Sequence, residues 1–384
     1  MDVCKDPKRY AREKFWLGLA SGSFNLVLLV LLLLTGFSIA IARWCSGPPA
    51  LVVLEYVLLV GAGFQILDLP GAWLGRRIEI RFGMNRQGGA SWLWDETKST
   101  LLAAVLGIGA AELVYWLLRA SPLHWWLWAW AAFAVVTVGL AQLGPVLLLP
   151  LFFKLRPMSA DNETDAALVR RLESTYASLR AQNPKLPRLH GIFEWKLSEK
   201  SAKANAALTG LGRTRRVIIS DTLLEGSPVE EIEAVFVHEL GHHVHHDIWR
   251  VLAFQTGLSF LGFWLAQLIL RALVTPLHLH GVADVAGAPL LLLVFSVLGL
   301  VLLPVSNAFV RVMERRADDY SFSTLGTAMP LLAGLRRLAE KNLAEVEPPR
   351  WKEWLLYSHP SIATRIRRGE AFESARKAAR GELA

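Results

Sequence analysis

The sequence predicts a mainly α-helical, polytopic membrane protein with about six transmembrane helices and a cytosolic α+β insert. Apolar residues make up 53% of the 384 residues. The mean hydropathy is +0.36, and together these values exclude an ordinary soluble enzyme. Apolar runs of about 20 residues, long enough to cross the hydrocarbon core of a bilayer, recur along the chain. A polar segment over residues 155–250 interrupts their succession.

Six apolar runs predict the spans, over residues 15–42, 51–74, 100–118, 127–149, 251–270 and 290–305. The first run follows a basic segment and superficially resembles a cleaved signal peptide. It is too long for one, so we interpret it as a retained anchor. Four runs precede residue 155. We therefore expect a four-helix membrane domain at 1–154 and a second domain at 155–384, which contains two further spans and a cytosolic C-terminal segment.

The polar segment over residues 155–250 has mixed charge and is long enough to fold as a unit of about 100 residues. Two strand-forming stretches, 204–208 and 216–220, flank Gly210-Leu211-Gly212 and predict a β-hairpin. Further along, Ser227-Pro228-Val229-Glu230 has the form of a capping box with proline in the first turn, which predicts the start of a helix. An apolar stripe at helical spacing follows, formed by Ile232, Val235, Phe236 and Leu240.

The most informative motif of the chain, His238-Glu239-Leu240-Gly241-His242, lies within this predicted helix. Two histidines four residues apart share one helix face, so both imidazoles can reach a single metal ion. Glu239 lies to one side, where it can take a proton from a metal-bound water. The alternative is a histidine-rich surface, since His243, His245 and His246 follow closely. These three lack the spacing to Glu239, and we interpret them as solvated, or at most weakly helpful to the site.

A third ligand is predicted further along the chain. A catalytic zinc ion takes three protein ligands and keeps one position open for water. Glu314 and Asp318 stand four residues apart, on one face of a predicted helix. Glu314 can complete the metal shell, and Asp318 can accept the free N–H of a ligand histidine. Alone, this segment would be interpreted as a surface helix of mixed charge; the histidine motif favours the ligand interpretation.

The chain resembles the type I CAAX prenyl proteases, a family of membrane-embedded zinc metalloproteases of the gluzincin class. Nine blocks match in the same order along the chain. They are Leu69-Pro70, Glu79 through Asn85, Asp95 with Lys98, Pro150 through Lys154, Asn205 through Gly210, Arg216 through Leu224, Asn307 with Arg311, Glu314 and Asp318, His359-Pro360, and Arg365-Ile366. The similarity extends over nearly the whole chain. It departs from eukaryotic members, which generally have seven spans, and from the family's second proline, which is Ser361 here.

The resemblance implies that residues 155–384 form a gluzincin peptidase domain with one Zn2+ ion. His238, His242 and Glu314 are then the metal ligands. Glu239 takes a proton from the attacking water and returns it to the leaving amine. The implied activity is that of a zinc metalloendopeptidase, which hydrolyses peptide bonds of membrane-associated or lipidated peptides.

Three further residues acquire expected roles from the resemblance. His359 is expected to stabilise the tetrahedral oxyanion, although it can also be a simple loop residue before Pro360. Asn205 lies in the predicted hairpin, where an extended peptide can add as another strand. Asn205 can then bind the backbone of that peptide. A turn-forming asparagine is the alternative. Arg365 is expected to hold the oxyanion or the substrate.

The distribution of charge predicts orientation. Basic residues precede the first span, flank the loop between the second and third, and recur in the insert and the C-terminal tail. The opposite loops carry one arginine each: Arg43, Arg119 and Arg271. The positive-inside rule therefore places both termini and the metal site on the cytosolic side. This topology also explains the net charge of +8 without nucleic-acid binding.

Other functions stay open at this point. An HtpX-like quality-control protease for misfolded membrane proteins would use the same chemistry, but that family typically has fewer spans before its metal motif. An inactive membrane scaffold or transporter that retains the fold is the other alternative. The composition, rich in alanine, leucine and arginine, suggests a bacterial chain and hence a bacterial inner membrane. Neither the natural substrate nor the oligomeric state follows from the sequence.

Overall fold

The structure, a computed structural model, describes residues 5–184, 186, 188–210 and 212–381. Before residue 155 the described chain is helical. Its helices are α1 (Pro7–Leu34), α2 (Phe37–Ala42), α3 (Pro49–Arg81), α4 (Gly89–Ala120), α5 (Trp125–Leu147) and α6 (Leu149–Phe152). The remainder combines a small sheet with further helices.

The second part of the chain contains all of the strands in the described residues. They are β1 (Leu155–Pro157), β2 (Ile192–Trp195), β3 (Ala206–Thr209) and β4 (Arg216–Ser220). Its helices are α7 (Glu163–Gln182), α8 (Asp221–Leu224), α9 (Val229–Val244), α10 (Asp247–Leu273), α11 (Ala288–Leu325), α12 (Met329–Lys341), α13 (Arg350–Leu356) and α14 (Ile362–Ala379). Short 3-10 turns form at Leu197–Glu199, Gly212–Thr214 and Val285–Gly287.

Within the described residues, six helical segments are long and apolar enough to cross a membrane, which confirms the predicted number. They are α1, α3, α4, α5, α10 and α11 with the turn before it. Four of them, α3, α4, α10 and α11, extend beyond the predicted apolar runs at both ends because the helices continue into polar sequence. Helix α11 has 38 residues and is therefore about 57 Å long, nearly twice the thickness of a bilayer core. Its C-terminal half can thus carry Glu314 out of the membrane.

The first predicted span, over residues 15–42, is wrong in its extent. Helix α1 begins at Pro7 and ends at Leu34, and Gly36 then adopts a left-handed conformation with φ of 71°. Glycine takes this conformation without steric cost, and the chain changes direction there. Residues after Gly36 form the separate short helix α2 instead of extending the span.

The four strands form one sheet in the order β1-β2-β4-β3. β3 and β4 pair antiparallel, from Ala206 opposite Ile219 to Thr209 opposite Arg216, which confirms the predicted hairpin. Leu211 in its predicted turn lies outside the described residues. β2 and β4 run parallel in the centre of the sheet. The α+β character of the insert is therefore as predicted, and β3 is left at an edge.

The core of the insert lies between this sheet and helices α7 and α9. Apolar side chains from β2 and β4 pack there against helical residues, including Ile192, Val217, Ile219, Leu172 and Phe236. Because α9 is fixed to the sheet by this core, the polar face of α9 has a defined orientation towards α11.

The predicted capping box at the start of α9 is wrong. The helix begins at Val229, its N-cap residue is Pro228, and no side chain caps it. The hydroxyl of Ser227 is buried without a hydrogen-bond partner among the described residues. Pro228 has φ of −57° and ψ of 149°, so it is extended, and Ser227 lies one residue too early to reach the first free N–H groups.

Candidate metal centre and active site

Helices α9 and α11 approach closely along the face that carries the histidine motif. A Cβ atom placed on Gly241 would lie 3.1 Å from the Cα of Ala317 and 3.2 Å from the Cβ of Tyr320. Ala317 is itself fully buried. Small residues on both helices therefore allow the two backbones to come together, and this contact brings His238 and His242 beside Glu314.

The three predicted ligands converge. One donor atom from each of His238, His242 and Glu314 can be chosen so that all three lie within 4.8 Å of one another. Nε2 of His238 is 3.5 Å from Oε2 of Glu314, and Nε2 of His242 is 3.3 Å from Oε1. The two imidazole rings are 5.0 Å apart, centre to centre. Two imidazoles and one carboxylate around a common point are the donor set of a catalytic zinc site.

The residues present fit a metal ion. Glu314 is 4% exposed, yet its Oε2 accepts no hydrogen bond from any described residue. An unpartnered carboxylate oxygen in such a place carries a desolvation cost that a cation would offset. The Nδ1 atoms of both histidines are occupied by other partners, so their Nε2 atoms face the common point.

Each ligand histidine is supported by a carboxylate on its outer nitrogen. Nδ1 of His238 is 3.0 Å from Oδ1 of Asp318, and Nδ1 of His242 is 3.1 Å from Oδ2 of Asp247. Both aspartates are buried. Such contacts fix the ring orientation and the tautomer that leaves Nε2 free for a metal.

Asp247 was not identified from the sequence. It begins α10, and His246 before it has a left-handed conformation with φ of 56°. This turn folds the start of α10 back towards the last turn of α9. The sequence does show a carboxylate five residues after His242. Whether this carboxylate reaches the histidine depends on the geometry of the turn at His246.

Negative charge around the histidines raises their pKa values. Burial alone would lower the pKa of His242, but hydrogen bonds with Asp247 and Glu314 raise it to about 10. For His238, burial acts in the same downward direction, and the contacts with Asp318 and Glu314 raise its pKa above the usual value. The electrostatic environment at the common point therefore favours a cation.

Arg365 contacts Asp318, the carboxylate that supports His238. Arg365 is only 8% exposed. Its Nε donates to Oδ2 of Asp318 at 2.9 Å, and Nη2 donates to Oδ1. Nη1 is 4.0 Å from Oε2 of Glu314. Burial lowers the pKa of Arg365, but Asp318 raises it above its usual value. Arg365 therefore balances the charge of Asp318; its predicted contact with substrate stays a prediction.

Glu239 and the edge strand β3 meet beside the metal cluster. Oε2 of Glu239 is 3.5 Å from the backbone nitrogen of Leu208. Nε2 of His243 is 3.4 Å from the carbonyl oxygen of the same residue. The prediction that His243 is solvated is wrong, because its side chain is buried against β3. Half-buried His245 and exposed His246 lie away from this contact.

Asn205 stands at the start of the edge strand. Its carbonyl oxygen accepts a hydrogen bond from the backbone nitrogen of Ser220 at 2.9 Å, and its backbone nitrogen donates to Oγ of Ser220 at 2.8 Å. The residue is exposed. Its backbone is thus fixed to β4, and its side chain is accessible from outside the sheet.

His359 is accessible and contacts the carboxylate of the ligand residue Glu314. Its side chain is 61% exposed, and its Nε2 is 3.2 Å from Oε1 of Glu314. Oγ of Ser358 is 2.9 Å from its Nδ1. No local sequence pattern indicates this contact of Ser358.

Two residues of α11 hold the segment that leads to His359. Arg311 donates to the carbonyl oxygens of Glu353, Trp354 and Tyr357, at 3.1, 3.2 and 2.5 Å. Asn307 donates to the carbonyl oxygen of Leu355 at 2.9 Å. The carbonyls of Trp354 and Leu355 belong to the last turn of α13, where helical partners are lacking, and Tyr357 follows that turn directly. The His359 segment is therefore tied to the helix that carries Glu314.

Replacement of Gly241 by alanine is expected to lower kcat/KM about tenfold. The added Cβ would require α9 and α11 to separate by a few tenths of an ångström, which displaces the histidines from Glu314. Peptide turnover by the purified variant tests this expectation. Gly262→Ala is the matched control, because a Cβ there would lie 3.8 Å from Cε1 of Phe295, an ordinary contact. Unchanged turnover by Gly241→Ala would contradict the role of the close approach.

Comparison with known proteins identifies the family. Residues 2–154 match the model described as "CAAX prenyl protease N-terminal, five membrane helices", and residues 163–372 match "Peptidase family M48". The chain is 29% identical to the "Uncharacterized metalloprotease YhfN" of Bacillus subtilis, over 96% of this chain and 85% of the relative. It is 28% identical to "CAAX prenyl protease 1" of Saccharomyces cerevisiae, over 78% of this chain and 68% of the relative.

A solved structure agrees with these sequence relationships. The crystal structure of S. mikatae Ste24p superposes with a TM-score of 0.81 at 25% identity, over 94% of this chain and 87% of that chain. The fold, the two family matches and the converging His238, His242 and Glu314 agree with one another. The chain is an integral membrane metallopeptidase and belongs to peptidase family M48.

Proposed function

We propose that this protein is a zinc endopeptidase that cleaves lipidated or membrane-associated peptides at the cytosolic face of a bacterial inner membrane. The observation that carries the proposal is the convergence of His238, His242 and Glu314 on one point with Glu239 beside it. Relatives named as CAAX prenyl proteases support a membrane-associated peptide substrate. The comparisons give the HtpX-like alternative no better support.

His238, His242 and Glu314 are the residues that would hold the metal. A zinc ion bound there supplies Lewis acidity, which polarises the scissile carbonyl and lowers the pKa of a bound water to about 7. Glu239 is not part of the ligand cluster, so its carboxylate is available for proton transfer. It would take the proton of the attacking water and deliver it to the leaving amine. The N–H of Leu208 helps to orient that carboxylate.

The edge strand β3 is the proposed docking strand for substrate. The backbone N–H and carbonyl of Leu208 face Glu239 and His243 on α9, so this edge of the sheet is turned towards the active site. An extended peptide that adds to β3 would be brought alongside Glu239. The exposed Asn205 would contact its backbone, and His359, whose Nε2 is 3.2 Å from Oε1 of Glu314, would donate to the developing oxyanion.

The location at the membrane face follows from the helices that carry the site. Helix α10 begins at Asp247, and α11 passes through its apolar half before it reaches Glu314. The metal cluster therefore lies near one end of two candidate spans. The basic residues on this side of the chain support a cytosolic orientation.

Replacement of Arg311 by methionine is expected to lower kcat about 10- to 100-fold with the metal retained. The variant keeps the apolar stem and removes three hydrogen bonds to the end of α13, so His359 loses its fixed position. Kinetics of Arg311→Met, His359→Ala and the double variant form the test. If Arg311 acts through His359, the two effects are strongly non-additive. Fully additive losses would contradict this positioning role.

The proposed activity is tested by metal removal with matched peptides. The full-length protein, purified in detergent, is dialysed against a chelator and assayed on a farnesylated peptide ending in a CAAX motif. The same peptide without its lipid is the control. We expect turnover to disappear on chelation and to return with about one equivalent of Zn2+ per chain. The farnesylated peptide should have the lower KM, because its lipid partitions into the detergent phase that surrounds the spans.

Two different failures are distinguishable. Turnover that survives complete removal of zinc would contradict the metallopeptidase mechanism. Zinc-dependent turnover of both peptides with equal KM would leave the mechanism intact and contradict the preference for lipidated substrates.

A further inference from the structure

A cavity of about 350 Å³ lies at the end of the membrane domain opposite the metal centre. Its walls come from α2, the start of α3, the end of α4 and the turn before α11. α4 and α11 each cross the membrane domain once, and the ends that line this cavity are the ends remote from the peptidase insert. The cavity is therefore separated from the active site by the length of a span.

Two arginines line this cavity. Arg43 follows α2 and Arg119 lies in the last turn of α4, and both are exposed. Neither guanidinium forms an ion pair or a hydrogen bond with any residue in the described parts of the chain. Of the three arginines at this end of the membrane domain, two thus line one cavity; the third, Arg271, does not.

The acidic residue of the cavity is already engaged. Oδ2 of Asp284 is 2.9 Å from the backbone nitrogen of His280 and 2.9 Å from its ring Nδ1. Oδ1 accepts from the backbone nitrogen of Ala286 at 3.0 Å. Asp284 therefore stabilises its own turn rather than either arginine, and the cavity keeps an excess of positive charge.

Buried hydroxyl groups fix the backbone at residues 285–286, which lines the cavity. Oγ of Ser38 is 2.6 Å from the carbonyl oxygen of Ala286 and 2.6 Å from the hydroxyl of Tyr56. The hydroxyl of Tyr115 is 3.3 Å from the carbonyl oxygen of Val285. Tyr56 and Tyr115 are both buried. The backbone of this wall is therefore fixed before a ligand binds, so its ordering adds no cost to binding.

We propose that this cavity binds the phosphate diester headgroup of an anionic phospholipid. Arginine is suited to phosphate, because its planar guanidinium donates two parallel hydrogen bonds to phosphate oxygens. The cavity lies where α2 and α4 end, the level expected for headgroups. Its apolar wall, with Ile39, Val52 and Val53, offers a surface for the glycerol and the first methylene groups. A free phosphate ion would use the arginines but would gain nothing from this wall.

The test compares lipids and variants on the full-length protein in detergent. Wild type is titrated with phosphatidylglycerol, with phosphatidylcholine and with inorganic phosphate, and bound lipid is counted by native mass spectrometry. The double variant Arg43→Gln/Arg119→Gln is compared with Arg271→Gln, which alters the third arginine of the same face. Peptide turnover in detergent verifies that each variant is folded, since these residues are remote from the peptidase site.

We expect one molecule of phosphatidylglycerol to bind wild type and Arg271→Gln about tenfold or more tightly than it binds the double variant. Phosphatidylcholine, whose choline cation is repelled by the excess positive charge of the cavity, should bind wild type about tenfold or more weakly than phosphatidylglycerol does. Equal affinity of phosphatidylglycerol for wild type and the double variant would overturn the site. Inorganic phosphate that displaces phosphatidylglycerol at equal concentration would overturn the assignment to a lipid headgroup. Neither result depends on the proposed peptidase substrate.

Discussion

Replacement of Glu239 by glutamine is expected to lower kcat by about 10³-fold or more, while the protein keeps its metal and its fold. Glutamine has nearly the shape of glutamate but cannot take up the proton of the attacking water. Glu239 is not one of the clustered ligand residues, so its substitution leaves the donor set intact. Turnover of a quenched membrane peptide and zinc content per chain are the two measurements.

Glu230→Gln is the matched control for this variant. Glu230 lies in the first turn of the same helix and is exposed. Its substitution should leave both turnover and zinc content unchanged. Turnover that persists in Glu239→Gln would exclude the proton-transfer role assigned to this residue. An inactive variant without zinc would instead assign Glu239 to metal binding.

Replacement of Glu314 by glutamine is expected to abolish metal retention and, with it, peptide cleavage. The carboxylate supplies the only negative charge among the three clustered ligands, and one of its oxygens accepts no hydrogen bond from the described residues. The loss of affinity should exceed the roughly 100-fold effect of removing an outer contact. Zinc content after gel filtration, measured together with turnover, tests this prediction.

Asp319→Asn provides the control on the same helix. Asp319 is an exposed carboxylate that pairs with Arg368, away from the metal cluster. Its substitution should cost little, as is usual for an exposed ion pair. If Glu314→Gln retains zinc as wild type does, the ion is held by other residues and the proposed site is wrong.

Much of the architecture follows from local sequence features. The six spans can be predicted because an apolar run of sufficient length has few alternatives to a transmembrane helix. The β3–β4 hairpin follows from strand-forming runs on either side of a glycine-rich turn. The spacing of His238 and His242 places both on one helix face in any regular helix. Convergence with Glu314, far along the chain, came from the chemistry of zinc and from family resemblance.

What the sequence did not predict depends on tertiary contacts. The burial of His243 requires β3 to lie against α9. Asp247 reaches His242 because the turn at His246 folds back. Arg311 has its partners on α13, more than forty residues away in sequence. No local pattern encodes these contacts.

Trp125 shows the same limit within the membrane domain. A cluster of tryptophans before the fourth span predicts an interfacial aromatic belt. In the structure Trp125 is fully buried and donates to Gln267 on α10, while Trp128 in the same run is exposed. The composition of the run indicates an interface, but the rotation of α5 decides which ring faces the lipid.

The coordination of the metal in the purified protein is the most direct test. A crystal structure with anomalous diffraction at the zinc absorption edge would locate the ion. We predict one zinc ion bound by Nε2 of His238, Nε2 of His242 and the carboxylate of Glu314, at about 2.0–2.2 Å. A zinc ion bound at other side chains, or a folded and active protein without any metal, would contradict the proposed mechanism.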